Sequence, residues 1–274
     1  MPAQKTQDKP AKFASEGRPL VGMLHLPEGA RRDIGVVFCD AFEDERRTTC
    51  LAMTRLAREV AARGFAALRF DYWGCGDSPG DFADATVSTR LADIRSASAF
   101  LRDEAGVRKL CLLGLRFGAT LASQAAEGTA DCAALVLIQP EPDGKAYVDS
   151  LIKRKLVRGM ITRAQGGEQP GGAGADVIDL DGYALTQRTV KEMRECIIAP
   201  GRVAFRGPVV VVQVSFNESI RPEARAVCAA YEGAGAKVDV RALVMPPFWS
   251  RIDVTATDAL NEAVGQWLEG AGDR

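Results

Sequence analysis

The chain has 274 residues, 47% of them hydrophobic, and its 35 Lys+Arg against 36 Asp+Glu leave a formal net charge of -1. That composition is of an ordinary globular protein with one large domain, and the near-neutral charge excludes a nucleic-acid binder driven by phosphate contacts. No apolar run approaches the ~20 residues of a membrane helix, and the polar start MPAQKTQDKPAKFASEGRP lacks the apolar stretch of a secretory signal, so the expected location is the cytoplasm.

Residues 1–18 read as a flexible N-terminal segment. GRPLVGMLHLPEG (17–29) predicts a first strand or hairpin arm closed by a Pro/Gly turn. IGVVFCDA (34–41) is a short apolar run of the kind buried on both faces of a sheet. TRLAREVAARG (54–64) has helical spacing and stops at Gly64. FAALRFDYWG (65–74) is the next strand, and VSTRLADIRSASAFLRDEAG (87–106) an amphipathic helix. KLCLLGLR (109–116) is a strand, FGATLASQAAEG (117–128) a helix of small residues, and AALVLIQP (133–140) another buried strand.

The alternation then breaks. YVDSLIKRKLVRGMITR is basic and amphipathic, QGGEQPGGAGAD is Gly-rich, and DVIDLDGYALTQRTVKEMREC ends in a helical pattern. Strand PVVVVQVSF (208–216), helix RPEARAVCAAYEGAG (221–235), strand KVDVRALVM (237–245) and helix TDALNEAVGQWLEG (257–270) resume it. Such repetition predicts an α/β fold: a mostly parallel central sheet with helices on both faces. Residues 19–274 form one domain, with an inserted cap at about 141–207. Ligands in such sheets bind beyond the carboxyl ends of the strands. The segments that matter are therefore CDAFEDERR, DYWGCGDSPGD, GLRFGA, QPEPDG, SFNESIRPE and PPFWSR.

Seven cysteines are scattered without a C-x-x-C pair, which reads as reduced thiols. The chain has a single histidine, His25. That argues against a His-rich metal site, and the sequence holds no dinucleotide or P-loop pattern, so no cofactor or metal is expected.

Gly114-Leu115-Arg116-Phe117-Gly118 lies between a strand and a small-residue helix. This is the setting of the nucleophile elbow, G-x-S-x-G, of the α/β-hydrolases. DYWGCGDSPG and the N-terminal hairpin resemble other parts of that superfamily. Arg116 stands where the nucleophile would be, and a guanidinium stays protonated and cannot attack a carbonyl. In the chain order of that fold the acid follows the strand at 208–216, where only Glu218 qualifies. The histidine follows the strand at 237–245, where Trp249 stands instead. Acyl transfer by the usual triad is therefore not expected.

FEDERR (42–47), GCGDSPGDFADAT (74–86), GLRFGATLA (114–122), IQPEPDGKAYVDSLIKRKLVRGM (138–160), DLDGYALT (179–186) and PPFW (246–249) carry a narrower resemblance. The chain resembles the exosortase A system-associated hydrolases of type 2, bacterial proteins found with exopolysaccharide and PEP-CTERM export genes. The resemblance implies an α/β-hydrolase fold and a hydrolytic ancestry, with the triad degenerate here.

Arg116 has two readings. At a helix N-terminus, an anion-attracting place, it would bind a carboxylate or phosphate. Alternatively it pairs internally, with Glu218, Asp40 and Glu43 as the expected partners. Phe42 would supply the second oxyanion N–H, beside an acidic run that would repel an oxyanion. Glu43 could act as a base opposite Arg116, or belong to an ordinary solvated acidic run. Cys75, without a neighbouring histidine, is read as part of a turn. Lys153, Arg154, Lys155 and Arg158 either cover an acidic ligand, meet a membrane surface or partner, or form one solvated helix face. Phe248 and Trp249 either line an apolar pocket or plug it, and Phe117, beside Arg116, is a further ligand-binding candidate. The sequence thus points to a non-hydrolytic binder of an anionic small molecule or a protein. The alternative is an altered hydrolase or lyase using Arg116 and a carboxylate. A third reading is a structural partner in a dimer.

Overall fold

The structure is a computed structural model that describes residues 4–42, 44–164, 177–180, 182–251 and 255–272, without the side chains of Arg158 and of residues 161–164. An eight-stranded sheet has the order β1-β2-β4-β3-β5-β6-β9-β10. Its strands are β1 (Thr6–Ser15), β2 (Arg18–Pro27), β3 (Ile34–Cys39), β4 (Ala66–Phe70), β5 (Lys109–Leu115), β6 (Cys132–Ile138), β9 (Val209–Ser215) and β10 (Val238–Val244). β1 and β2 form an antiparallel hairpin, β2 meets β4 antiparallel, and the remaining pairs are parallel.

The strands that read as unbroken apolar runs are the central ones. Every residue of β3 and of β9 is buried, as a strand covered on both faces requires. α1 (Asp44–Ala62) and α7 (Asp258–Gly272) cover one face. α2 (Val87–Ala105), α3 (Phe117–Glu127) and α6 (Pro222–Ala234) cover the other. Leu56, Val60, Val264 and Leu268 pack with Val210 and Val212 on the first face, and Ile94, Leu121 and Val227 with Leu112 and Val211 on the second.

Two expectations need correction. Residues 6–15 are a strand of the sheet and not a flexible segment. They read as polar because β1 is an edge strand: Ala11 and Ser15 are buried and Phe13 stacks on Phe100 at 4.8 Å, while most of the other side chains meet solvent. The second concerns α1, which starts at Asp44, ten residues before the periodic stretch suggested. The acids Asp44 and Glu45 occupy its first turn, where the helix dipole favours negative charge.

Between β6 and β9 the chain forms α4 (Gly144–Ala164), a small hairpin β7 (Val177–Leu180) and β8 (Tyr183–Thr186), and α5 (Gln187–Glu195). The hairpin packs Tyr183 against Phe82 at 5.1 Å, and α5 joins α2 through Glu192, which accepts from Ser88 N at 2.8 Å. α4 and α5 thereby sit over the carboxyl ends of the central strands. The Gly-rich segment 165–176 and Glu43 lie outside the described residues. No helix among the described residues is long and apolar enough to cross a membrane.

Candidate functional site

β5 delivers Arg116 to the top of the sheet, and α3 starts at the next residue. Arg116 has φ 57 and ψ -125, a conformation that costs a non-glycine residue about 1–3 kcal/mol. Its N–H donates to Ile138 O at 2.9 Å, and its carbonyl accepts from Ala119 N at 3.0 Å, which fixes the turn. The flanking glycines are required sterically. A Cβ on Gly114 would meet backbone of Ala119 at 2.3 Å, and one on Gly118 would meet Cys39 O at 2.2 Å. The backbone is therefore that of a strained strand–turn–helix elbow, with a guanidinium at its apex.

That guanidinium meets two carboxylates and an aromatic ring. Its Nη2 lies 3.2 Å from Glu45 Oε1, and its Nη1 pairs with Glu141 Oε1. Its Cζ lies over the Trp249 ring, 4.8 Å from the ring centroid. Burial opposes the charge on Arg116, but Glu45 and then Glu141 outweigh it and hold its pKa above the ordinary value. Burial pushes the Glu141 carboxyl up, against the pull of Arg116. Glu45 is 4% exposed and also accepts from Tyr147 Oη at 3.3 Å. Tyr147, on α4, stacks on Phe117 with ring centroids 5.1 Å apart. Arg154 of α4 adds a more distant charge 3.8 Å from Glu45.

The structure thus brings Arg116, Phe117 and Trp249 together, and adds Glu45 and Glu141. Glu218 is exposed at the end of β9 and makes no ion pair with Arg116. Asp40 is buried and turns to Arg46, at 3.8 Å; burial raises its pKa, opposed by Arg69 and Arg46. Phe42 is buried against Phe117 at 5.8 Å and Phe82 at 5.7 Å. Arg90 lies over the Phe42 ring, at 4.8 Å, and its guanidinium also approaches the half-buried Cys75 Sγ at 3.5 Å. Cys75 therefore belongs to the packing of the GCGDS turn. Glu141 could have been suspected from its place between Pro140 and Pro142, directly after the strand that neighbours the elbow.

Beside the Glu141–Arg116 pair a cavity of about 420 Å³ opens between the end of β6, the end of β9 and the start of α6. Val211, Pro140 and Pro222 give it apolar walls, and Glu141, Arg221 and Glu223 give it charge.

The same overall fold recurs in solved structures. Est1E from Butyrivibrio proteoclasticus, solved with ferulic acid bound, is 19% identical with a TM-score of 0.66, covering 96% of this chain and 100% of that one. The esterase domain of a Rhodothermus marinus protein is 18% identical with a TM-score of 0.62, covering 96% and 98%. A Pyrococcus furiosus esterase is 13% identical with a TM-score of 0.62, covering 97% and 90%. This chain has the α/β-hydrolase fold. Within it, residues 46–172 match the model of the serine aminopeptidase S33 family. No curated protein matches the sequence.

Proposed function

We propose that the chain is a non-hydrolytic α/β-hydrolase-fold protein that binds a small molecule or a protein, in association with exopolysaccharide and PEP-CTERM export systems. One observation carries this reading: the guanidinium at the elbow is neutralised by Glu45 and Glu141 and covered by Trp249. A serine hydrolase needs at this point an exposed nucleophile with a base beside it. On this reading Arg116, in the nucleophile's position, is a cation without nucleophilic character, and the ring of Trp249 takes the position of the base. The pairing also changes the ligand chemistry. Arg116 has carboxylates of its own, so an anionic ligand would have to displace one of them. Arg221, exposed and without an ion pair among the described residues, is the better receptor for an anionic group entering the neighbouring cavity.

The test is turnover of short acyl p-nitrophenyl esters and acyl-CoA thioesters by the purified protein, with a serine-directed fluorophosphonate probe in parallel. The expected result is neither turnover nor labelling; stoichiometric labelling of one residue with turnover overturns the reading. A second reading rests on Glu141. Glu141 lines the cavity, and burial pushes its carboxyl pKa up against the pull of Arg116, which suits a general acid in a hydrolase or lyase of altered chemistry. That reading requires a substrate whose turnover is lost on Glu141→Gln with the fold intact.

A further inference from the structure

The two edges of the sheet are built differently. β1 carries Lys9, Pro10 and Lys12, and lysine charges together with a proline that lacks an N–H are devices that discourage strand addition. β10 has no proline or lysine within Val238–Val244, and it ends the sheet with Val240 38% and Val244 57% exposed. An edge of this kind is a template for another strand.

The hydrogen bonds to β9 fix which groups are free. Lys237 O accepts from Val209 N at 2.9 Å, and Met245 N donates to Ser215 O at 3.0 Å. The odd-numbered residues of β10 thus turn their backbone groups inward, and those of Val238, Val240, Ala242 and Val244 point away from the sheet. We propose that β10 pairs antiparallel with β10 of a second copy of this chain, about a two-fold axis passing through Val240.

The occupant and the register follow from the strand itself. A closed pair of identical chains is related by a two-fold axis, which makes identical strands antiparallel. Only registers that set even-numbered residues opposite even-numbered ones join the outward groups. Centring on Arg241 would place two arginines face to face, which is repulsive. Centring on Ala242 would set Arg241 against Leu243 and Asp239 against Met245, pairing neither charge. Centring on Val240 sets each Arg241 opposite Asp239 of the other copy, at the non-hydrogen-bonded positions where side chains approach most closely. Arg241 is exposed and makes no ion pair among the described residues. Asp239 uses Oδ2 to accept from Trp267 Nε1 at 2.8 Å, which leaves Oδ1 for the guanidinium. Val240 meets its own mate, and Val238 meets Ala242 on either side.

The register has a signature that few other arrangements share. In it Val240→Cys sits opposite itself, with Cα atoms about 5.5 Å apart, inside the roughly 4.4–6.8 Å range of a disulfide. The full-length chain is expected to sediment as a dimer at micromolar concentration. Under mild oxidation Val240→Cys should give a disulfide-linked dimer on a non-reducing gel, while wild type, Arg241→Cys and Ala242→Cys do not. Arg241→Glu should lose the dimer with unchanged circular dichroism, and Asp239→Lys combined with Arg241→Glu should regain it. A monomeric wild type overturns the proposal. So does a dimer that is cross-linked through residue 241 or 242 instead of 240, or one that Arg241→Glu leaves intact.

Discussion

Trp249 and Arg116 are 133 positions apart in the sequence, yet the Trp249 ring centroid lies 4.8 Å from the Arg116 guanidinium carbon. Thr48 of α1 donates to the Trp249 carbonyl at 2.7 Å, which holds the loop after β10 over the elbow. A cation on an aromatic face contributes about 0.5–2 kcal/mol, more as water is excluded. Trp249→Ala is therefore expected to destabilise the fold by about 1–2 kcal/mol in urea titration, and Trp249→Phe by less.

Removing the charge of Arg116 leaves Glu45 buried at 4% exposure beside a second carboxylate. Breaking a buried pair in this way costs about 3–5 kcal/mol. Arg116→Met should show a loss of that size. Arg116→Met with Glu45→Gln should recover a large part of it, because the uncompensated charge is gone. A double-mutant cycle in urea reads the coupling directly.

Arg116→Ser places a hydroxyl at the elbow but supplies no base. We expect no p-nitrophenyl butyrate hydrolysis above the buffer rate and no fluorophosphonate labelling. Activity in this variant would mean that another group takes the hydroxyl proton, and Glu141, the carboxylate already paired at this apex, would then be the first to substitute.

Two glycines separate steric from conformational demand. An alanine at Gly118 drives its methyl into the carbonyls of Cys39 and Asp40 at 2.2 and 2.3 Å, and these are backbone atoms and not the end of a flexible side chain. Gly118→Ala is expected to prevent recovery of folded protein. Gly106 caps α2 at φ 67 with open space around it, so Gly106→Ala should cost only about 1 kcal/mol through the left-handed backbone. Expression yield and thermal melting distinguish the two.

His25 provides a pH dependence. Its ring is fully buried on β2; Nδ1 donates to Asp8 at 2.7 Å and Nε2 has no partner among the described residues. Burial pulls its pKa below 6.5, although Asp8 opposes this. As pH falls, the unfolded chain takes up this proton first, near the ordinary histidine pKa of about 6.5. Stability contributed by the neutral ring is thus present above pH about 6.5 and declines below it, down to the folded-state pKa. Melting temperature should drop between pH 7 and pH 5 in wild type, with a shallower slope in His25→Gln.

The central strands were legible because burial on both faces leaves no alternative to an apolar run, as in β3 and β9. The turn at Arg116 was legible because glycines at 114 and 118 flank it between a strand and a helix of small residues. The partners of Arg116 were not. Glu45 hides in a polar run, DERRTTC, whose helical nature comes from packing of Met53 and Leu56 further on. Asp40 was suggested because it ends β3, but Arg46 on the next helix claims it. Proximity to one sheet edge does not decide which of several carboxylates a single guanidinium meets. β1 was missed for a related reason: an edge strand with one face in water has no need of the apolar pattern that identifies a strand.

Glu45 ties three parts of the chain at once, through Arg116 at the elbow, Tyr147 on α4 and its own seat on α1. Lifting α4 would take the Tyr147 hydroxyl and the charge of Arg154 away from a carboxylate that stays buried on Arg116, so the roof is tied to the elbow by polar contacts as well as by the Tyr147–Phe117 stack. The cavity between the end of β6 and the first turn of α6 is bounded by residues outside α4, with Arg221 and Glu223 sharing its wall with the Glu141–Arg116 pair.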